Sequence, residues 1–283
     1  MSEPEAPRHF PSPAVAFALT MGAWLVTGFL IALLGREIDI VSLGMGEVFG
    51  FGLVATLAAR RVPEPQAERL GLRGFAPRFL PALMLLLPVV IVSSELDNLV
   101  KGLMPPPELS SEETEMFDRL RESLAAGGWL GRLQTLIVVV GLTPVVEEWL
   151  FRGVLQQGLI AHMGRAGGLL LTAALFAFGH LGPSIAAGSS VGIFASSLLL
   201  GLVLGIVRIA TGSLLATILL HAATNALGLV AAIWQDALAI PGYNVPGEHT
   251  PPFFMFMALI AVALGTGALA RSLRSTPWVL PLR

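Results

Sequence analysis

Apolar residues along this 283-residue chain come in long blocks, separated by short links that hold most of the charge. A bilayer core about 30 Å thick is crossed by about 20 apolar residues of helix. Eight blocks meet or approach that length: 13–34, 42–59, 79–96, 133–159, 168–180, 191–209, 213–234 and 252–273. The fifth is short for a full crossing and needs extension by its neighbours or tilt. The pattern predicts an all-α fold, a polytopic transmembrane helix bundle of about eight spans. It forms a single membrane domain, 1–283, with no internal repeat and no appended soluble domain. The polar stretch Met1–Ser12 lacks the basic start of a secretory signal, so the first block reads as a retained span.

Composition agrees with the blocks. Hydrophobic residues make up 54% of the chain and charged residues 13%, against about 25% charged in an ordinary soluble domain. Mean hydropathy is +0.77. The net charge of −2 offers no basic field for nucleic acid. The absence of cysteine excludes disulfides, thiolate metal sites and cysteine nucleophiles.

Basic residues set the expected orientation, because cytoplasmic loops carry the excess of Lys and Arg. With eight crossings, Arg8, Arg60, Arg61, Arg69, Arg73, Arg78, Arg165, Arg208, Arg271, Arg274 and Arg283 fall on one side. Arg36, Lys101, Arg119, Arg121 and Arg132 fall on the other, with Glu112, Glu113, Glu115 and Asp118. The 11-to-5 bias predicts that both termini are cytoplasmic, and the expected localisation is that of an integral multi-pass protein of a bacterial-type plasma membrane. The longest link, 101–131, starts after three prolines with Ser110, Ser111 and Glu113 as a helix-start signal. Met116, Leu120 and Leu124 recur every four residues there, as expected of a surface amphipathic helix.

Ionisable groups at bilayer depth are expensive and mark candidate sites. Three clusters qualify. The first is Glu147-Glu148-Trp149-Leu150-Phe151-Arg152-Gly153 in the fourth block. Glu148 and Arg152 share a helix face at i,i+4 and can pair, whereas Glu147 points away and is left free. A free carboxylate in a low-dielectric site suits a general base. The second cluster, Phe176-Ala177-Phe178-Gly179-His180, closes the fifth block. The third, His221-Ala222-Ala223-Thr224-Asn225, puts His221 and Asn225 one turn apart in the seventh. A His and an amide on one face are suitable donors to a developing oxyanion. At 1.5 Å per residue from the inner end, Glu147 lies roughly 20–24 Å deep, His180 about 18–20 Å, His221 near 12 Å and Asn225 near 18 Å.

Each cluster also has a structural reading. Glu148–Arg152 alone locks helices together, and a lone intramembrane His or a His–Asn pair serves as a helix–helix hydrogen bond. The conjunction of these polar groups on three spans at compatible depths favours a site. Glu47 reads as a protonated or interface-facing acid, and Glu95 and Asp97 as solvated span-end acids. His9, His162 and His249 receive no role. Trp234 and Trp278 read as interfacial anchors, and the glycines of 188–205 as close-packing positions.

The ordered set E-E-W-L-F-R-G-V-L-Q, F-A-F-G-H and H-A-A-T-N resembles the CPBP family of intramembrane proteases, which includes the CAAX prenyl endopeptidases and Abi-type relatives. The motifs EExxxR, FxxxH and HxxxN are complete, and the L-G-L-R run at Leu70–Arg73 is also similar to the family. The resemblance covers about 133–227. It implies hydrolysis of a peptide bond in a membrane-associated or lipid-modified peptide. Glu147 and His180 would activate water, and His221 and Asn225 would stabilise the oxyanion. Glu148, Arg152 and Phe176 would support the site. No cofactor is preferred; Zn²⁺ or another divalent metal would use Glu147, His180 and His221. The H-E-x-x-H motif of zinc peptidases is absent. The expected partners are a peptide or protein at the membrane and the lipid bilayer, with no nucleic acid. A non-catalytic scaffold or immunity-type protein is the alternative, separated by the completeness of the motifs. A proton-coupled transporter is weaker, because paired broken helices in two halves are missing.

Overall fold

The computed structural model describes residues 9–34, 40–105, 110–111, 114–115, 128–181, 190–234, 237–245 and 247–273. Among the described residues there are helices and no β-strand. The chain runs through α1 (Pro13–Leu34), α2 (40–59), the short α3 (Gln66–Leu70) and α4 (Pro77–Leu103). It continues through α5 (128–163), α6 (165–179), α7 (Ser190–Thr211), α8 (Leu214–Ile233) and α9 (Pro252–Leu273). The surface-helix expectation for 116–124 lies outside the described residues, as do Arg8, Arg36, Arg119, Arg121, Arg274, Arg283 and Trp278.

Among the described residues six helices are long and apolar enough to cross a membrane, and the helix Gly44–Ala59 is a shorter apolar one. One of the six, Gly128–Gly179, is 52 residues long and holds two of the expected spans. Gly164 breaks it with φ 75° and ψ 174°, a left-handed φ that a glycine tolerates without steric cost. A Cβ placed on Gly168 would lie 2.5 Å from the Ile160 backbone nitrogen. Residues eight apart in a straight helix are about 12 Å apart, so the chain folds back at Gly164. α5 and α6 are therefore the two arms of a tight hairpin. All eight apolar blocks are helical, and the short fifth block is the returning arm α6.

Turns gather at two ends of the bundle. At one end Leu214 N donates to Gly71 O (2.9 Å), and Arg73 Nε donates to Gly212 O (3.1 Å). Arg208 Nη2 donates there to Arg69 O (2.8 Å), and Ser272 Oγ to Ala210 O (3.4 Å). At the other end the 237–250 link is tied to α4. Ser94 and Asn98 donate to Gly242 O, and Glu95 holds His249 at 2.7 Å. Glu95 is thus a loop anchor instead of a merely solvated acid, and Asp97 pairs with Lys101 at 2.6 Å.

Large apolar side chains such as Leu25, Phe29, Leu33, Phe253, Phe256 and Leu264 face outward, as expected where lipid is the solvent. Since lipid tails are as apolar as Leu, helices associate through small residues and hydrogen bonds. Gly201 lies against Ala173 and Phe176, and Gly205 against Leu169, so α7 approaches α6 closely. These two glycines are the close-packing positions expected from the sequence. Gln156 Nε2 adds a bond from α5 to Gly205 O at 2.9 Å.

Candidate active site

The acidic motif sits on an irregular stretch of α5. Thr143–Glu148 is α-helical, but Leu136–Leu142 before it and Trp149–Leu155 after it are π-helical. Pro144 supplies a cause for the first: with no N–H, it gives the Val140 carbonyl no α-helical donor. Wide turns of this kind concentrate at functional sites.

Two adjacent carboxylates end up in different surroundings. Glu148 and Arg152 are fully buried, with Nη1 donating to Oε1 at 2.7 Å. Arg152 Nη2 also donates to Gly201 O on α7 (3.0 Å), and its guanidinium lies 4.3 Å from the centre of the Phe176 ring. His221 Nδ1 meets the same Glu148 oxygen at 3.0 Å. Glu147 lies outside that pair; like Glu148, it has a buried Oε2 with no hydrogen-bond partner. It faces His221 Nε2 at 3.8 Å and His180 Nε2 at 4.0 Å. Glu147 therefore does point away from the Glu148–Arg152 pair, but a single imidazole bridges the two carboxylates.

The histidine tautomers follow from their partners. His180 Nδ1 lies 2.8 Å from Phe176 O, a carbonyl that only accepts, so Nδ1 carries the hydrogen. Glu148 sets the same tautomer on His221. Neutral rings then turn unprotonated Nε2 atoms toward Glu147. Phe176 fills the space between them, its ring 4.4 Å from that of His180 and 5.8 Å from that of His221. His180 is about a third exposed, at 32% for its side chain, while His221 is sealed at 2%. The accessible side of the cluster is therefore the His180 side.

Asn225 sits apart from this meeting point. Its Nδ2 donates to Val139 O at 2.9 Å, two turns before Glu147 on α5. Depth counted along single helices put Asn225 nearer than His221 to Glu147; the contacts reverse that order, because span ends and two π turns shift the count. Sequence reasoning also missed two residues. Glu47 on α2 accepts a hydrogen bond from Thr143, one turn before Glu147, so it borders the site and does not face an interface. Trp24 Nε1 donates to Gly179 O at 2.7 Å, pinning the backbone beside His180. An acid in an apolar span was the available signal for Glu47; nothing along the chain marked Trp24.

A tetrahedral zinc with ligands at about 2.0–2.2 Å holds its donors about 3.4 Å apart. Here the Glu147–His separations are 3.8 and 4.0 Å. Among the described residues no group of three or more His, Asp or Glu side chains is arranged to hold a metal ion. The donor types suit a metal, but here they stand farther apart than the donors of a tetrahedral zinc.

Residues 129–227 match the family model for type II CAAX prenyl endopeptidases, Rce1-like. The motif-bearing core is Rce1-like. The match spans all three motifs and bears out the resemblance to CPBP-type membrane proteases. No curated protein and no solved structure matches the chain. The Rce1-like core thus occupies α5 to α8, while α1 and α4 contribute Trp24 and the Glu95 anchor from outside it.

Proposed function

We propose that this integral membrane protein is an intramembrane endopeptidase. It hydrolyses a peptide bond in a membrane-associated or lipid-modified peptide with water activated by Glu147 and His180. The observation that carries this reading is the unpartnered Glu147 oxygen facing two imidazole Nε2 atoms at 3.8 and 4.0 Å. Those gaps are too long for direct hydrogen bonds and suit a single water donating to two acceptors at about 2.8 Å each.

In this mechanism Glu147 takes one proton as the water oxygen attacks the carbonyl carbon. The tetrahedral intermediate collapses as Glu147 returns that proton to the amide nitrogen, which leaves as an amine. Glu148 holds His221 in register, and Arg152 balances the Glu148 charge. Neutral His221 has no hydrogen at Nε2, so its role toward the oxyanion requires the doubly protonated ring, whose charge the oxyanion itself would balance, since Glu148 is paired with Arg152. Asn225 keeps a second amide hydrogen for the same oxyanion. No step passes through a metal, since the Glu147–His separations of 3.8 and 4.0 Å exceed those between the donors of a tetrahedral zinc. Gathering of Arg69, Arg73, Arg165 and Arg208 at the turns of one end supports cytoplasmic termini.

Incubating purified protein with a library of membrane and lipidated peptides tests the reading. Cleavage that survives Glu147→Ala unchanged overturns it in favour of a non-catalytic role.

A further inference from the structure

A second polar feature lies beside the carboxylate cluster. A cavity of about 190 Å³ opens between α4, α7 and α8, lined by Ser93, Ser196, Ser197, Thr224 and Asn225 with two aliphatic side chains. It adjoins the site on two elements. Thr224 and Asn225 follow His221 by one turn on α8, and the α7 wall borders Gly201, whose carbonyl accepts from Arg152.

No ionisable group lines this cavity, so it does not select a charged ligand. Three of its polar side chains already spend a hydrogen on main chain. Ser196 Oγ donates to Ile193 O (3.0 Å), Thr224 Oγ1 to His221 O (2.7 Å) and Asn225 Nδ2 to Val139 O (2.9 Å). Their oxygens remain as acceptors. Ser93 Oγ is buried without a partner. Unpaired hydroxyls are expensive away from water, and so are the main-chain N–H groups of any peptide unwound within a bilayer. The two needs are complementary.

The volume corresponds to about six waters and does not admit a helix about 10–12 Å across, so the fitting occupant is extended. The 237–250 link lies toward the end away from the arginine-rich turns. It is tied down by Ser94, Glu95 and Asn98, one turn from the cavity or less, and the Tyr243 hydroxyl lies near Gly228, one turn beyond Thr224.

Resting on the endopeptidase reading, we propose that this cavity is a main-chain subsite, taking N–H groups of an extended substrate segment beside the scissile bond.

The cysteine-free chain gives a direct test. Ser93→Cys and Ser197→Cys are made singly in a Glu147→Gln background, with Leu103→Cys, 84% exposed, as control. Modification by methyl methanethiosulfonate is timed with and without a farnesylated peptide ending in a CAAX sequence, and with its unprenylated twin. At a peptide concentration ten times its Kd, both cavity cysteines are expected to react about tenfold more slowly, with Leu103→Cys unchanged. A peptide with an ester in place of one amide is expected to protect several-fold less. Unchanged rates at both cavity cysteines with either peptide overturn the subsite, and equal protection by the ester peptide overturns its N–H chemistry. Cleavage of the same peptides by the unsubstituted chain is scored separately. Protection without cleavage keeps the subsite and removes the endopeptidase reading; cleavage without protection does the reverse.

Discussion

Glu147 and Glu148 are neighbours in sequence with the same side chain, yet the bundle treats them oppositely. Glu148 is closed in by Arg152 and His221 and has no exposed surface. Glu147 lies outside the Arg152 pair and looks toward His180, which is about a third exposed. A buried carboxylate paired with a guanidinium is held in one state and serves to position others. One with an unfilled acceptor beside two imidazole nitrogens is arranged to exchange a proton. The difference separates a supporting side of the cluster from a reacting side, and substitutions on the two sides should separate stability from activity.

The largest expected effect is on the supporting side. Arg152→Ala strands Glu148 as a buried, unpaired charge, a loss of about 3–5 kcal/mol. It should lower the thermal unfolding midpoint in detergent far more than any change at Glu147. An unshifted midpoint would mean that the pair does not hold the helices together. On the reacting side, His180→Ala should lower peptide cleavage by about 10²-fold or more while the unfolding midpoint stays near that of the parent. A joint fall in both would erase the distinction between the two sides. Glu148→Gln keeps the shape but weakens the anchor of His221; cleavage is expected to drop about 10- to 100-fold. Trp24→Phe removes the bond to Gly179 O and should cost about 1 kcal/mol of stability, with only a small change in turnover. The smallest expected effect is that of chelation. Metal content and cleavage measured before and after EDTA should show no loss of activity, and a loss restored by zinc would return Glu147, His180 and His221 to a ligand role.

Much of this was legible in the sequence for identifiable reasons. Continuous apolar blocks announce membrane helices because hydrocarbon demands about 20 apolar residues. The shortness of 168–180 followed from its being the return arm of the Gly164 hairpin. The i,i+4 pairing of Glu148 with Arg152 is a local relation, and it appears at 2.7 Å. What a single helix cannot encode was missed. That His221 bridges both carboxylates depends on how α8 meets α5, and Asn225 is turned to Val139 by the same packing. Glu47 was read alone on its span, whereas its meaning comes from Thr143 on another. The π turns also escaped a 100°-per-residue wheel, although Pro144 was in view.

The most direct test of the central claim is the cleavage rate of Glu147→Gln, measured on a peptide the parent protein cuts, alongside its thermal unfolding midpoint. Glutamine preserves the side chain's size but takes no proton from water. Cleavage should fall by about 10²–10⁴-fold with the midpoint close to the parent's. Cleavage at the parental rate in the folded variant would contradict the assignment of Glu147 as the base.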